Sequence, residues 1–272
     1  MMGLCVKPPL LVMEYLGRGS LFRVLHSTKI NLDWTMVLNV LVDAACGLCY
    51  LHALQPPLVH ADIKSPNILV DVNWRCKITD LGLAKLKGDT HPANNYRGGS
   101  SSHNPGTHAG SLLWSAPEVL EGQRVTVQSD VYSFAIVMFE TMYRQLPFAG
   151  ISPMAVPLRV FEGQRPDAKD PPAYAALGPV FQSLKALMKA CWVEVPKKRH
   201  SMEKVLHQLE FMAQGFAGQQ NWEGAVVFPK QNEDTVADAD EQSIAEAVRS
   251  GYKLDESDIE LGFKIGQGNS GT

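Results

Sequence analysis

The sequence predicts an α+β fold that is mainly helical, and two kinds of pattern indicate it. Apolar residues recur at helical spacing in three separate segments, 33–52, 131–143 and 201–212. Short apolar runs typical of buried strands occur at 8–16 and 58–59, beside a glycine turn and a polar loop respectively. Long helices combined with few short strands favour a domain whose core is built mostly from helices.

Composition is that of a globular chain with enough apolar residues for a sizeable core. Of the 272 residues, 45% are hydrophobic and 19% are charged, and the formal net charge is −3. This charge provides no electrostatic basis for binding nucleic acid or an anionic membrane surface. No uninterrupted apolar run reaches the roughly 18 residues of a transmembrane helix, so we expect no membrane segment.

The five cysteines, scattered from Cys5 to Cys191, do not suggest a disulfide framework. Cys46 and Cys49 form a C-x-x-C pair, which could be a redox site or half of a zinc site. The surrounding segment 37–51 reads as an apolar helix without a second ligand pair, so we expect buried thiols on a core helix. The chain also lacks a signal-peptide pattern at its start, and a reducing, cytoplasmic location is the expectation.

The strand-like segment 8–16 runs into Gly17-Arg18-Gly19-Ser20. The glycines end the strand, and Ser20 can cap a helix that begins near Leu21. The helical segment 33–52 follows, and Pro56-Pro57 stops it.

The next segment combines the chemical groups that phosphoryl transfer requires. In chain order, the side chains concerned are His60, Asp62, Lys64, Asn67 and Asp80. They supply a base, a cation, an amide oxygen and a metal-binding carboxylate from two neighbouring loops. Catalysis of phosphoryl transfer consists mostly of positioning and charge neutralisation, so this set indicates that chemistry.

Residues 59–71 resemble the catalytic loop of protein kinases, whose usual form is H-R-D-L-K-x-x-N followed by D-F-G. Ala116-Pro117-Glu118 is similar to the A-P-E motif of the same family. Lys64 is typical of serine/threonine kinases, and the motif order with a Trp-rich late region resembles their tyrosine-kinase-like group. The resemblance covers about 8–212. It implies the hinge and the mainly helical C-terminal lobe of the kinase fold, with the N-terminal β lobe largely missing.

The resemblance implies a role for each polar residue of the motif. Asp62 would be the catalytic base and Lys64 would neutralise the transferred phosphate. Asn67 and Asp80 would bind Mg²⁺ through oxygen atoms. Ser111 would stand in the substrate-facing loop, where the family has a Thr near the catalytic Asp and Lys.

The resemblance also implies ATP as the phosphoryl donor. Met13 would be the gatekeeper beside the adenine, and backbone groups of Glu14 and Leu16 would hydrogen-bond its edge. Leu69 would form the apolar floor beneath it. The implied cofactors are therefore ATP and Mg²⁺, and the implied partner is a protein substrate that carries Ser or Thr.

Four polar residues are expected to be structural. His60 would hold the backbone of the catalytic loop, although its type also suits a general base. Asp130 could be only the cap of a helix that starts at Val131, and in kinases the matching Asp also bonds the catalytic loop. Glu118 and Arg199 would form a largely buried ion pair.

The sequence departs from the family at two positions. Ala61 replaces an Arg that grips a phosphorylated activation segment, here 88–110. Phosphorylation of Ser100, Ser101, Ser102 or Thr107 should therefore have only a modest effect. Leu81 replaces the Phe of D-F-G and would keep an apolar side chain where Phe packs.

Three parts follow from these patterns. We expect residues 1–215 to form a kinase domain and the polar, acidic segment 216–257 to be a linker. Residues 258–272 resemble the first strand and glycine-rich loop of a second kinase domain, and the alternative is a glycine-rich tail of no consequence.

Two functions are consistent with this organisation. One is a protein serine/threonine kinase whose smaller lobe lies outside this sequence, with the truncated chain inactive alone. The other is a kinase-like scaffold that binds partners without catalysis. The intact metal-binding and catalytic residues favour the enzyme.

Overall fold

The computed structural model describes residues 3–6, 9–86 and 109–217. The activation segment predicted at 88–110 lies outside these ranges except for its last two residues. The predicted linker, beyond Ala217, and the glycine-rich segment 258–272 also lie outside them.

The described chain begins with an antiparallel hairpin of β1 (Gly3–Val6) and β2 (Pro9–Val12). Extended residues 13–16 follow and lead to β3 (Gly19–Ser20) and α1 (Leu21–Leu25). Gly19 has φ +74°, a left-handed conformation that glycine adopts without strain. The Ser20 hydroxyl accepts the backbone N–H of Arg23, which confirms the predicted helix cap.

The second helix is α2 (Trp34–Ala53), close to the predicted segment 33–52. Asp33 caps it by accepting the Met36 N–H at 2.8 Å. Four short strands follow it: β4 (Leu58–Val59), β5 (Ile68–Val70), β6 (Cys76–Ile78) and β7 (Lys85–Leu86). Strands β3, β5 and β6 form one antiparallel sheet in that order, and β4 pairs with β7. The loops between these strands therefore lie next to one another.

Helices make up most of the remaining described chain. They are α3 (Pro117–Leu120), α4 (Val127–Tyr143), α5 (Val156–Phe161), α6 (Gly178–Cys191) and α7 (Met202–Ala217). Helix α2 packs against α4, α7 and β6, and α4 also packs against α6. Aromatic rings join these layers edge to face, with Trp34 and Phe181 both within 5.2 Å of the Tyr174 ring, centroid to centroid.

Helix α2 has the length and apolar composition of a membrane span, although no uninterrupted apolar run marks it in the sequence. Its buried residues follow helical spacing, however, and they contact other elements of the domain. They are Trp34, Val37, Leu38, Val40, Leu41, Ala44, Ala45, Leu48 and Leu51. In this structure α2 is the core helix of the domain.

Two local predictions were wrong. Cys46 is exposed and Cys49 half-buried, because both lie off the buried stripe of α2, so they are not core thiols. Helix α4 starts before Val131, and its cap is Thr126, which exchanges hydrogen bonds with Ser129. Asp130 lies within the first turn, so it is not the cap.

Asp170 ties the end of α4 to α6. Its Oδ1 accepts the Tyr143 hydroxyl at 2.8 Å, and Lys185 donates to both carboxylate oxygens at 2.7 and 2.8 Å. Both hydrogen bonds lower the pKa of Asp170, and the bond from Lys185 is the larger cause. A carboxyl group whose pKa is lowered on folding stabilises the fold above its unfolded pKa, and that contribution disappears as the pH falls through its folded pKa.

We therefore expect Asp170→Asn to lower the free energy of unfolding by about 1 kcal/mol near pH 7, because the charge-assisted bonds are weakened. The difference between the variant and the original chain should shrink as the pH falls from about 6 toward 3, below the unfolded value of about 3.9. Urea unfolding across this range measures it. Asp167→Asn is the matched control, since Asp167 is exposed on the same loop. A difference that stays constant with pH would contradict the prediction.

Candidate active site

The candidate catalytic loop connects β4 to β5 and ends in a 3₁₀ turn, Ser65–Asn67. Asp62 lies buried at its centre, and both carboxylate oxygens are occupied. Oδ1 accepts the Ser111 hydroxyl at 2.7 Å. Oδ2 accepts the Asn67 amide at 2.8 Å and lies 2.9 Å from the Lys64 ammonium. Two side chains of the same loop and one from a distant segment thus converge on one carboxylate.

The Ser111 hydroxyl is held from two sides. It donates to Asp62 and accepts a hydrogen bond from Lys64 Nζ at 2.9 Å. Ser111 belongs to a 3₁₀ helix, Ala109–Trp114, which packs against α4. A proton acceptor and a cation therefore flank one hydroxyl group at hydrogen-bonding distance. This is the arrangement that removing a proton from an alcohol and stabilising the resulting charge would need.

Asn67 is fixed by its amide nitrogen, which donates to both the backbone and the side chain of Asp62. The amide oxygen is therefore the group of this side chain left to bind a ligand. The backbone carbonyl of Asn67 accepts the Thr79 N–H at 2.9 Å, which brings the adjacent Asp80 close to the loop. Asp80 is exposed, and its Oδ1 accepts the Gly82 N–H. An amide oxygen and a carboxylate are hard ligands that fit Mg²⁺.

His60 is completely buried and holds the loop through both ring nitrogens. Nδ1 accepts the Asp62 N–H at 3.2 Å, and Nε2 donates to the Thr79 carbonyl at 3.0 Å. A ring whose nitrogens both bond the backbone is poorly placed to exchange protons with a substrate. This geometry is that of a structural histidine.

Asp130, on α4, supports the same loop by bonding its backbone. Its oxygens accept the backbone N–H groups of His60 at 2.8 Å and Ala61 at 2.9 Å, and His52 donates to it at 2.9 Å. Ala61 has φ 67°, a left-handed conformation that costs a residue with a side chain about 1 kcal/mol or more. The bonds from Asp130 offset this cost and keep the turn that presents Asp62.

An ion pair anchors α3, which follows the Ser111 helix. Arg199 donates to both carboxylate oxygens of Glu118, at 2.6 and 2.8 Å. The Arg199 side chain is fully buried and also donates to the carbonyls of Val193, Gln128 and Glu194. None of these four partners is a predicted catalytic or metal-binding residue, which fits a structural role.

The candidate hinge offers an open surface. Met13 is 54% exposed, whereas Leu16 is buried. The Leu16 carbonyl accepts the Gly19 N–H. The backbone group with which Leu16 can bond an adenine ring is therefore its N–H. The Glu14 side chain pairs with Lys77. Leu69, on β5, is half-buried between β3 and β6, as a floor residue would be.

One predicted contact of this region is wrong. Leu81 was expected to pack where kinases have a Phe, but it is 50% exposed. The cause is local, because Asp80 has φ 64° and starts a 3₁₀ turn, Leu81–Leu83, that contains no buried residue.

Sequence reasoning missed two residues that bond this site. His52, in the last turn of α2, donates to Asp130. Glu140, on α4, lies fully buried and bonds residues of both loops. A lone acidic residue in the apolar run 131–143 was the available signal, since a buried carboxylate requires partners.

Comparison with known proteins agrees with this geometry. The sequence profile of the family described as protein tyrosine and serine/threonine kinase matches residues 1–209. The chain belongs to the protein kinase superfamily.

Three of the curated proteins that resemble it are named as serine/threonine-protein kinases. The probable serine/threonine-protein kinase drkB of Dictyostelium discoideum is 39% identical over 72% of this chain and 26% of its own length. The serine/threonine-protein kinase CTR1 of Arabidopsis thaliana is 36% identical over 76% of this chain and 24% of its own. The probable kinase SIS8 of the same plant is 34% identical over 80% and 20%. The chain thus spans about a quarter of the length of these kinases.

The role of Asp130 leads to a stability prediction. Asp130→Asn keeps the side-chain size but replaces one acceptor oxygen with a donor amide, which leaves a buried backbone N–H of the loop unpaired. We expect the free energy of unfolding to fall by about 1–3 kcal/mol. Hydrogen exchange should become faster at residues 60–62.

Asp33→Asn is the matched control for this variant, because asparagine caps helices as well as aspartate and should cost under about 0.5 kcal/mol at α2. Equal losses in the two variants would contradict the proposed support of the loop by Asp130.

Proposed function

We propose that this chain supplies the catalytic loop, hinge and substrate loop of a protein serine/threonine kinase. The reaction is transfer of the γ-phosphoryl group of ATP to a Ser or Thr hydroxyl of a protein. The observation that carries the proposal is the Ser111 hydroxyl held between Asp62 and Lys64. It supports a site in which a base and a cation act on one aliphatic hydroxyl.

Asp62 is the catalytic base in this proposal. Its Oδ1 contacts a hydroxyl at 2.7 Å, so it can accept the proton of a substrate hydroxyl placed nearby or orient its oxygen for attack. Asn67 donates to the other oxygen and Lys64 forms an ion pair with it, and these two contacts hold the carboxylate plane in place. Lys64 carries the positive charge that offsets charge on the transferred phosphoryl group.

ATP and Mg²⁺ fit the groups on the open side of the site. Asn67 and Asp80 would hold the metal through one amide and one carboxylate oxygen, with the nucleotide phosphates as the remaining ligands. When bound, the metal neutralises phosphate charge. The backbone of Glu14 and Leu16 would hydrogen-bond the adenine, with Met13 beside it and Leu69 beneath it.

The smaller lobe of the kinase fold is proposed to come from sequence outside this chain. The 54% exposure of Met13 supports this, because the proposal places Met13 beside the adenine, where a complete site would cover it. The relatives, which extend far beyond the matched region, are compatible with it.

A scaffold without catalysis is the competing function, and the exposed nucleotide surface is the observation that favours it. The ordered contacts among Asp62, Lys64, Asn67 and Ser111 favour the enzyme, since binding a partner does not require them.

Asp62→Asn tests the assignment of the base in the complete protein. We expect kcat for a peptide substrate to fall by about 10²-fold or more, because the amide cannot accept the proton. Binding of ATP should persist. Asp80→Ala should instead weaken the Mg²⁺-dependent part of ATP binding, measured by calorimetry with and without the metal. An unchanged kcat in Asp62→Asn would contradict the proposal that Asp62 is the catalytic base.

A second measurement concerns the 272-residue chain by itself. Because the smaller lobe is proposed to lie outside this chain, transfer of labelled phosphate to a generic protein substrate should stay at background. The Asp62→Asn chain serves as the background reference. Metal-dependent transfer above that reference would show that the chain needs no further lobe.

A further inference from the structure

Glu140 is an unusual residue for its position, because it carries a carboxylate into the apolar core of the domain. It lies three residues before the end of α4 and is 0% exposed. Both oxygens have partners: Oε1 accepts the Ser65 hydroxyl at 2.7 Å and His26 Nε2 at 2.8 Å, and Oε2 accepts the Trp114 indole N–H at 3.1 Å. The hydrogen bonds compensate a desolvation that an apolar residue would have avoided.

The partners of Glu140 belong to three separate segments. Ser65 lies between Lys64 and Asn67 in the catalytic loop, and Trp114 ends the helix that carries Ser111. His26 is the residue that caps the end of α1. The Glu140 carboxylate thus connects the catalytic loop, which contains Asp62, to the 3₁₀ helix that contains Ser111.

A second bond from the same helix fixes Trp114. The Ser133 hydroxyl, two turns before Glu140 on α4, donates to the Trp114 carbonyl at 2.8 Å. The backbone and the indole ring of Trp114 are therefore both held by α4. A rotation of the Ser111 helix would break at least one of these bonds.

We propose that Glu140 is a positioning residue for phosphoryl transfer, which sets the distance between the catalytic loop and the substrate loop. The inference rests on the proposed function. Glu140 does not touch Asp62, Lys64 or Ser111, so it acts through Ser65 and Trp114. Its loss should impair use of the phosphoacceptor while leaving the nucleotide surface at Met13 and Leu69 intact.

Two substitutions separate the acceptor role of Glu140 from its volume. Glu140→Met keeps the length of the side chain but removes both acceptor oxygens. Glu140→Gln keeps one oxygen for the Trp114 indole, and its amide can donate to the Ser65 hydroxyl, which can reverse its role. The glutamine variant is therefore the conservative rescue.

Thr141→Val is the matched control. Thr141 is the next residue of α4 and is also buried, but within the described residues its hydroxyl bonds only the Val137 carbonyl of the same helix. Trp114→Phe provides a milder test that keeps the aromatic ring and removes its donor, in case Glu140→Met fails to fold.

Hydrogen exchange measured by mass spectrometry on the 272-residue chain tests the link without requiring activity. Glu140→Met should raise exchange about threefold or more in both 64–68 and 111–115, since both loops lose their common anchor. Trp114→Phe should raise exchange at 111–115. Glu140→Gln and Thr141→Val should change neither segment. Exchange that rises equally throughout the domain, or in neither loop, overturns the proposal.

Kinetics in the complete protein test the functional consequence. Glu140→Met should lower kcat/KM for a peptide acceptor by about tenfold or more, with the KM for ATP unchanged within about twofold. Glu140→Gln should recover most of the loss, and Trp114→Phe should add little to Glu140→Met, because both break the same contact.

Hydrogen exchange and kinetics together distinguish a failure of the proposed function from a failure of the proposed role of Glu140. If the unmodified complete protein transfers no phosphate, the proposed function fails, while exchange in the two loops still decides the role of Glu140. If transfer occurs and Glu140→Met alters the KM for ATP as much as peptide use, or leaves both unchanged, the positioning role is wrong.

Discussion

The bonds from Asp130 to two backbone N–H groups are the interaction on which the site depends. They hold His60 and Ala61 in a turn whose left-handed residue has a side chain, and that turn aims Asp62 at Ser111. A carboxylate suits this task, because each of its oxygens can accept a separate donor while an amide could accept only on one side. The orientation of Asp62 in the proposed site thus depends on a residue that bonds the backbone of the loop and not Asp62 itself.

Helix α4 positions both loops through several side chains along its length. Asp130 supports the catalytic loop, Ser133 bonds the substrate loop, and Glu140 bonds both. The helix is almost entirely buried and packs against α2 and α6. Its backbone is therefore held firmly, and so are the side chains that it carries. Precise placement matters for phosphoryl transfer, since most of its catalysis lies in positioning and in fixed charges. A buried helix from which three polar side chains bond these loops provides such placement.

Much of the fold followed from the sequence, because helical spacing and glycine turns are local signals. The limits of α2 and the cap at Ser20 were predicted from neighbours in the chain. The exposure of Cys46 and the partners of Glu140 were not, because they depend on how elements far apart in sequence pack. Within the site, the motif predicted which residues converge, whereas the Ser65–Glu140–Trp114 contacts join positions that no spacing rule relates.

The central claim is that this site acts on an aliphatic hydroxyl between Asp62 and Lys64. It is tested most directly with the complete protein, γ-labelled ATP, Mg²⁺ and three peptides that differ only in carrying Ser, Thr or Tyr as the acceptor. The account predicts label on the serine and threonine peptides and little on the tyrosine peptide. Transfer to tyrosine alone, or ATP binding without transfer to any of the three peptides, would contradict it.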